Sequence, residues 1–118
     1  MPYIYLKTAV SMDAETKESV KASFGQAISL ISGKSEAALM VCLEDGVDLW
    51  LGGKKLDKGC FVAVEYLGAA SAADLDALNA ELFRILEEKL GADPAGVYIT
   101  YTQRGDWGAR GHCIHLPG

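Results

Sequence analysis

The chain has 118 residues, half of them apolar and 23% charged, with a formal net charge of -5. That length holds one compact domain with its own hydrophobic core, and that composition excludes a disordered chain. The acidic balance, with a pI near 4.9, gives no general attraction to phosphate backbones or anionic lipid, so nucleic acid and membrane surfaces are not expected partners and any anion site must be local.

From Pro2 the chain reads Tyr3-Ile4-Tyr5-Leu6-Lys7, a run too apolar for a half-exposed strand and suited to one covered on both faces. Ser11 and Asp13 are candidate N-caps, after which Val20, Phe24, Ala27, Ile28 and Ile31 recur at the spacing of one helical stripe, with Gly33 as the residue that ends it. Leu39 to Glu44 predicts a second strand. Beyond a break at Gly46, Val47 to Leu51 predicts a short extra one, closed by Gly52-Gly53 and a basic turn.

The plan then repeats. Cys60 to Leu67 predicts a strand, Ser71-Ala72-Ala73-Asp74 resembles a capping box, and Leu75, Leu78, Leu82, Ile85 and Leu86 form a second stripe that Gly91 stops. Val97 to Thr102, rich in β-branched and aromatic residues, predicts the last strand. Pro2 stands to Gly33 as Cys60 stands to Gly91, so segments of about 2–52 and 60–102 are a structural pseudo-repeat, followed by a glycine-rich tail at 103–118 for which a hairpin is expected. Two β-α-β units with right-handed crossovers give an α+β fold, a four-stranded mixed sheet with both helices on one face. Strands that read as apolar on both sides leave the open face to be covered by other copies of the chain, which predicts a closed homo-oligomer.

Cys42, Cys60 and Cys113 are an odd number without CxxC or zinc-type spacing, so neither a disulfide framework, nor a metal site, nor any cofactor is expected. His112-Cys113-Ile114-His115 and Arg104-Gly105-Asp106 are weak signals for a metal site and a recognition tripeptide. No apolar run approaches the roughly 20 residues of a membrane span and no basic-then-apolar leader opens the chain, which predicts a cytoplasmic location. Secretion without a leader would look the same. Gly33-Lys34-Ser35 follows a helix and lacks the earlier glycine, Ile28 standing there, so it is not a phosphate-binding loop.

Pro2 follows the initiator Met, which aminopeptidases remove before a small residue, leaving a secondary amine. Burial would keep that amine neutral near pH 7, fit to abstract a proton beside a carbonyl. Taken alone, Pro2 is equally the start of an edge strand that needs no donor, and Lys34 equally a lysine favouring a helix C-terminus.

Together the pieces resemble the macrophage migration inhibitory factor and D-dopachrome tautomerase family. The resemblance rests on Met1-Pro2, Ser32-Gly33-Lys34, Leu51-Gly52-Gly53, Tyr66-Leu67-Gly68, Val97-Tyr98-Ile99-Thr100-Tyr101 and Trp107-Gly108. It implies a single tautomerase-like domain over 1–118, assembled as a homotrimer with sites at subunit interfaces. It further implies an isomerase in which Pro2 is the catalytic base for a small α-keto acid such as phenylpyruvate. Lys34 would hold the carboxylate, Leu67 would offer its backbone N-H, Tyr98 would come from a neighbouring subunit, and Thr100 would be a further substrate-binding residue. Thr100 replaces an Asn of vertebrate members, no CxxC accompanies Cys60, and Arg84 is the first arginine, unlike the early arginines of haloacrylate dehalogenases and 4-oxalocrotonate-type enzymes. A cytokine-like binding or signalling trimer is the alternative reading.

Overall fold

A computed structural model describes residues 1–117. Strand β1 (Pro2–Thr8) alternates strictly, with Pro2, Ile4, Leu6 and Thr8 buried and Tyr3, Tyr5 and Lys7 on the other face. Helix α1 (Ala14–Ala27) opens at Asp13, whose carboxylate accepts the Thr16 N-H at 2.7 Å. Its stripe Val20, Phe24 and Ala27 is buried as its spacing predicts. The helix does not run on to Gly33. It tightens into a 3-10 turn over Ile28–Leu30, because the Ile31 N-H turns back to the Ile28 carbonyl at 3.1 Å, and Gly33 then reverses the chain at φ 82°.

Strand β2 (Met40–Glu44) pairs parallel to β1. The expected strand at Val47 shrinks to β3 (Trp50–Leu51), which forms a hairpin with β4 (Lys54–Lys55) through Gly52 and Gly53, both at positive φ. Val47 is diverted, its N-H donating to the Thr8 carbonyl at 3.1 Å at the end of β1. Strand β5 (Cys60–Leu67) runs antiparallel to β1, and helix α2 (Ala72–Leu90) ends at Gly91 in the left-handed conformation. Strand β6 (Val97–Arg104) lies parallel to β5, so the sheet order is β2-β1-β5-β6. The tail folds as a hairpin of β7 (Asp106–Ala109) and β8 (His112–His115).

Ile4, Leu6, Val62 and Val64 from the central strands share one core with Val20, Phe24, Leu78, Leu82 and Ile85 from both helices, which places the two helices on the same sheet face. Each such side chain contributes about 1.5–3 kcal/mol by leaving water. The opposite face is less apolar than the strands suggested: Tyr3, Tyr5, Cys42, Phe61 and Tyr98 share it with Glu44, Glu65 and Arg104. Both its carboxylates and its arginine are engaged, the Tyr5 hydroxyl donating to Glu44 and Arg104 Nε lying 2.8 Å from Glu65, while Lys7 Nζ lies 5.3 Å from the Tyr5 ring centroid.

Candidate active site

Pro2 is buried at the first position of β1, and the antiparallel register sets it opposite Tyr66. One step further out, the Leu67 N-H donates to the Met1 carbonyl at 3.1 Å. The Leu67 carbonyl accepts from Lys34 Nζ at 2.6 Å. Three segments distant in sequence therefore meet within hydrogen-bonding reach at the head of β1.

Lys34 reaches this point because the loop before it is held twice. Its own N-H bonds the Ile31 carbonyl at 3.0 Å, and the Ser32 N-H donates to Asp74 Oδ2 at 3.0 Å. The sequence pattern predicts Asp74 as half of a capping box. Its backbone does play that part, donating to Ser71 Oγ at 3.0 Å, but its carboxylate also reaches across to the end of helix α1, where it accepts the Ser32 N-H. The Ser32 N-H holds the Asp74 carboxyl below the usual carboxylate range. Glycine at position 33 is required by its positive φ of 82° and not by crowding, since a Cβ there would meet nothing within 4 Å.

The α-amine of Met1 lies beside Lys34, and its pKa is lowered, first by burial and then by the lysine's charge and hydrogen bond. Met1 thus engages the Leu67 N-H and sets its amine beside Lys34, whose Nζ donates to the Leu67 carbonyl. Removal of Met1 would vacate both positions and move the free amine one residue inward, to the nitrogen of buried Pro2. A secondary amine flanked by an ammonium and a backbone N-H can hold a planar anion and exchange a proton with it.

An open cleft of about 830 Å³ adjoins Pro2, lined by Tyr3, Leu39, Met40, Trp107 and Arg110 among others. The β7–β8 hairpin supplies Trp107 and Arg110. Trp107 was legible in sequence as part of a Trp-Gly pair, whereas Arg110 and Asp74 were missed as site residues. The only signal for Arg110 was the glycine that follows it.

Tyr98 and Thr100 do not join Pro2 within one chain. Tyr98 pairs with Phe61, which in turn faces Lys7, five positions along β1 from Pro2, so it stands about 17 Å away along the strand direction and two strands across. Tyr98 is 62% exposed and lines a separate recess of about 80 Å³ with Trp50, Leu56 and Phe61, while Thr100 is exposed on the same sheet face.

The remaining signals resolve locally. Arg104 pairs with Glu65 and Asp106 with His115 Nδ1 at 2.7 Å, so both charges of the Arg-Gly-Asp tripeptide are engaged within the chain. Strand alternation puts His112 and Cys113 on opposite faces of β8, and among the described residues no three His, Cys, Asp or Glu side chains gather as metal ligands would. Cys60 is buried, which raises its thiol pKa. No described helix is long and apolar enough to cross a membrane.

A family model described as macrophage migration inhibitory factor (MIF) matches residues 1–110. Among solved structures, MIF2 of Leishmania major superposes with a TM-score of 0.88 at 19% identity, covering 97% of each chain. The macrophage migration inhibitory factor homologue of Prochlorococcus marinus does so at 0.82 and 22%, covering 95% of this chain and 98% of that one. Pt0534, solved after inactivation by 2-oxo-3-pentynoate, gives 0.80 and 19%, covering 96% and 94%. No curated protein sequence matches. Identities this low carry the fold alone, but the family match spans nearly the whole chain, and the chain belongs to the macrophage migration inhibitory factor family.

Proposed function

We propose that the chain is a keto-enol tautomerase of small α-keto acids such as phenylpyruvate, with Pro2 as catalytic base once Met1 is removed. The observation that carries this reading is the convergence at the head of β1, where buried Pro2 adjoins the Leu67 N-H, now on the Met1 carbonyl, and Lys34 Nζ, 2.6 Å from the Leu67 carbonyl. The neutral Pro2 nitrogen takes a proton from the carbon next to the ketone, electrons move onto the carbonyl oxygen, and the protonated amine returns that proton to oxygen. No atom is gained or lost. Lys34 holds the carboxylate, and the Leu67 N-H steadies an oxygen as charge develops.

A homotrimer completes the site. Tyr98 and Thr100 sit far from Pro2 in their own chain on an open sheet face, so a neighbouring copy is the source from which they would reach the cleft. Thr100 offers only a hydroxyl. A cytoplasmic location accompanies this reading.

The test is ketonisation of enol-phenylpyruvate by the wild type, by Pro2→Gly and by a form that retains Met1. Loss of about 10² or more in rate is expected in both altered forms, and equal rates in all three would sink the mechanism. The Met1 amine is lowered by burial and then by Lys34, and a Pro2 amine exposed at the same place would act as base only when unprotonated, so kcat/KM should rise with pH as that amine loses its proton. Receptor binding that survives loss of Pro2, in a chain with negligible turnover, would instead mark a binding or signalling protein.

A further inference from the structure

The cleft beside Pro2 has an apolar lining, with Leu39, Met40 and Trp107 among its walls. Of the described residues that line it, Arg110 alone has a charged side chain. Arg110 is exposed, and within its own chain its guanidinium has no carboxylate partner among the described residues, whereas the other cation of the tail, Arg104, is taken up by Glu65.

The backbone sharpens the point. Arg110 and Gly111 are the two central residues of the β7–β8 turn, at φ 53° and 80°. Such a turn favours Asn, Asp or Gly at its first central position, and Arg110 is the one non-glycine residue with positive φ among the described residues. Turn-making does not account for an arginine there. A role for its side chain in the cleft it lines does.

Lys34 does not line the cleft itself but stands beside the Met1 amine, at the end of the cleft that Met1 and Pro2 line, while Arg110 lines it from the hairpin, with apolar surface in the cleft as well. Two cations in a chain of net charge -5 form a local exception that suits a ligand with an anion at each end. A guanidinium grips a carboxylate through two parallel hydrogen bonds, which gives it selectivity for that group over a neutral one.

We infer that Arg110 is a specificity-determining residue that binds a second, distal carboxylate, so that the preferred substrates are α-keto dicarboxylates with an aromatic or otherwise apolar body between the charges. This rests on the tautomerase reading. The probe is a matched pair, the enols of phenylpyruvate and of 4-carboxyphenylpyruvate, which differ only at the far end of the ring. The wild type should favour the carboxylated enol by tenfold or more in kcat/KM, chiefly through KM, and added salt should erode that preference.

Arg110→Asn keeps a residue that tolerates positive φ, so the hairpin should hold and the thermal midpoint should be unchanged or higher. The selectivity ratio should fall at least tenfold in Arg110→Asn and only in part in Arg110→Lys. No preference in the wild type, or a parallel loss on both substrates in Arg110→Asn, would overturn the assignment while Pro2-dependent turnover of enol-phenylpyruvate kept the tautomerase reading intact. Absence of Pro2-dependent turnover on either enol would overturn both.

Discussion

At one end of the β1–β5 ladder the Leu67 N-H donates to the Met1 carbonyl at 3.1 Å; at the other the Ala9 N-H donates to the Gly59 carbonyl at 3.0 Å. The two ends are related by the pseudo-repeat, Met1 preceding Pro2 as Gly59 precedes Cys60. Each lies near the end of a helix and near a lysine: Lys34 follows α1, and Lys58 Nζ comes within 3.2 Å of where a Gly91 side chain would begin, past α2. The backbone is the same device twice. What differs is that Gly59 is fixed in mid-chain, while Met1 is terminal and can be cut away. Under the proposed mechanism, removal of Met1 would free the Leu67 N-H and leave an amine on Pro2 at the first end, and the second end has no counterpart to this.

The comparison can be pressed hardest at Lys34. Lys34→Ala removes the proposed carboxylate anchor, and loss of a charge-assisted hydrogen bond should cost about 10- to 100-fold in kcat/KM. Steady-state ketonisation of enol-phenylpyruvate measures it, and Lys58→Ala should leave the rate within about twofold.

Thr8 tests the second end from the side of stability. It is fully buried, its Oγ donates to the Gly59 carbonyl at 3.0 Å and accepts the Val10 N-H at 3.2 Å. Thr8→Val leaves the Val10 N-H without that partner and should destabilise by about 1–3 kcal/mol in urea unfolding, with kcat/KM unaffected. A loss of turnover as large as that of Lys34→Ala would show the two ends to be functionally equivalent.

The smallest effect is expected at Asp74, which positions Lys34 by holding the Ser32 N-H. Asp74→Asn should lower kcat/KM by about 3- to 10-fold, mostly through KM. Because the Asp74 carboxyl is held below its ordinary value of 3.8, its stabilising effect is present above that pH and is lost as pH falls through the lowered value. The gap in thermal midpoint between the wild type and Asp74→Asn should therefore close in acid.

Much of this was legible in the sequence because it depends on local periodicity. The helical stripes of α1 and α2, the stop at Gly91 and the strand starts at Pro2 and Cys60 follow from spacing and from glycine's backbone freedom. What was illegible depends on partners distant in the chain. Asp74 satisfies a local capping pattern, and nothing near it in sequence reveals that its carboxylate bonds Ser32. Ile31 continues the helical stripe, yet its N-H is drawn into a tighter turn. Arg110 reads as an ordinary surface arginine until the hairpin folds against Pro2. Tyr98 and Thr100 were assigned to the site through family resemblance, and in their own chain they stand at the far end of the sheet.

The central claim is that a terminal Pro2 supplies an unusually reactive amine. Intact-mass and peptide-mapping mass spectrometry, before and after treatment near pH 7 with 2-oxo-3-pentynoate, the compound that inactivates Pt0534, tests it most directly. The predicted result is a chain lacking Met1 that gains one adduct on Pro2 and loses activity in step. Retention of Met1 in a fully active chain, or labelling confined to Cys42, Cys113 or lysines, would contradict it.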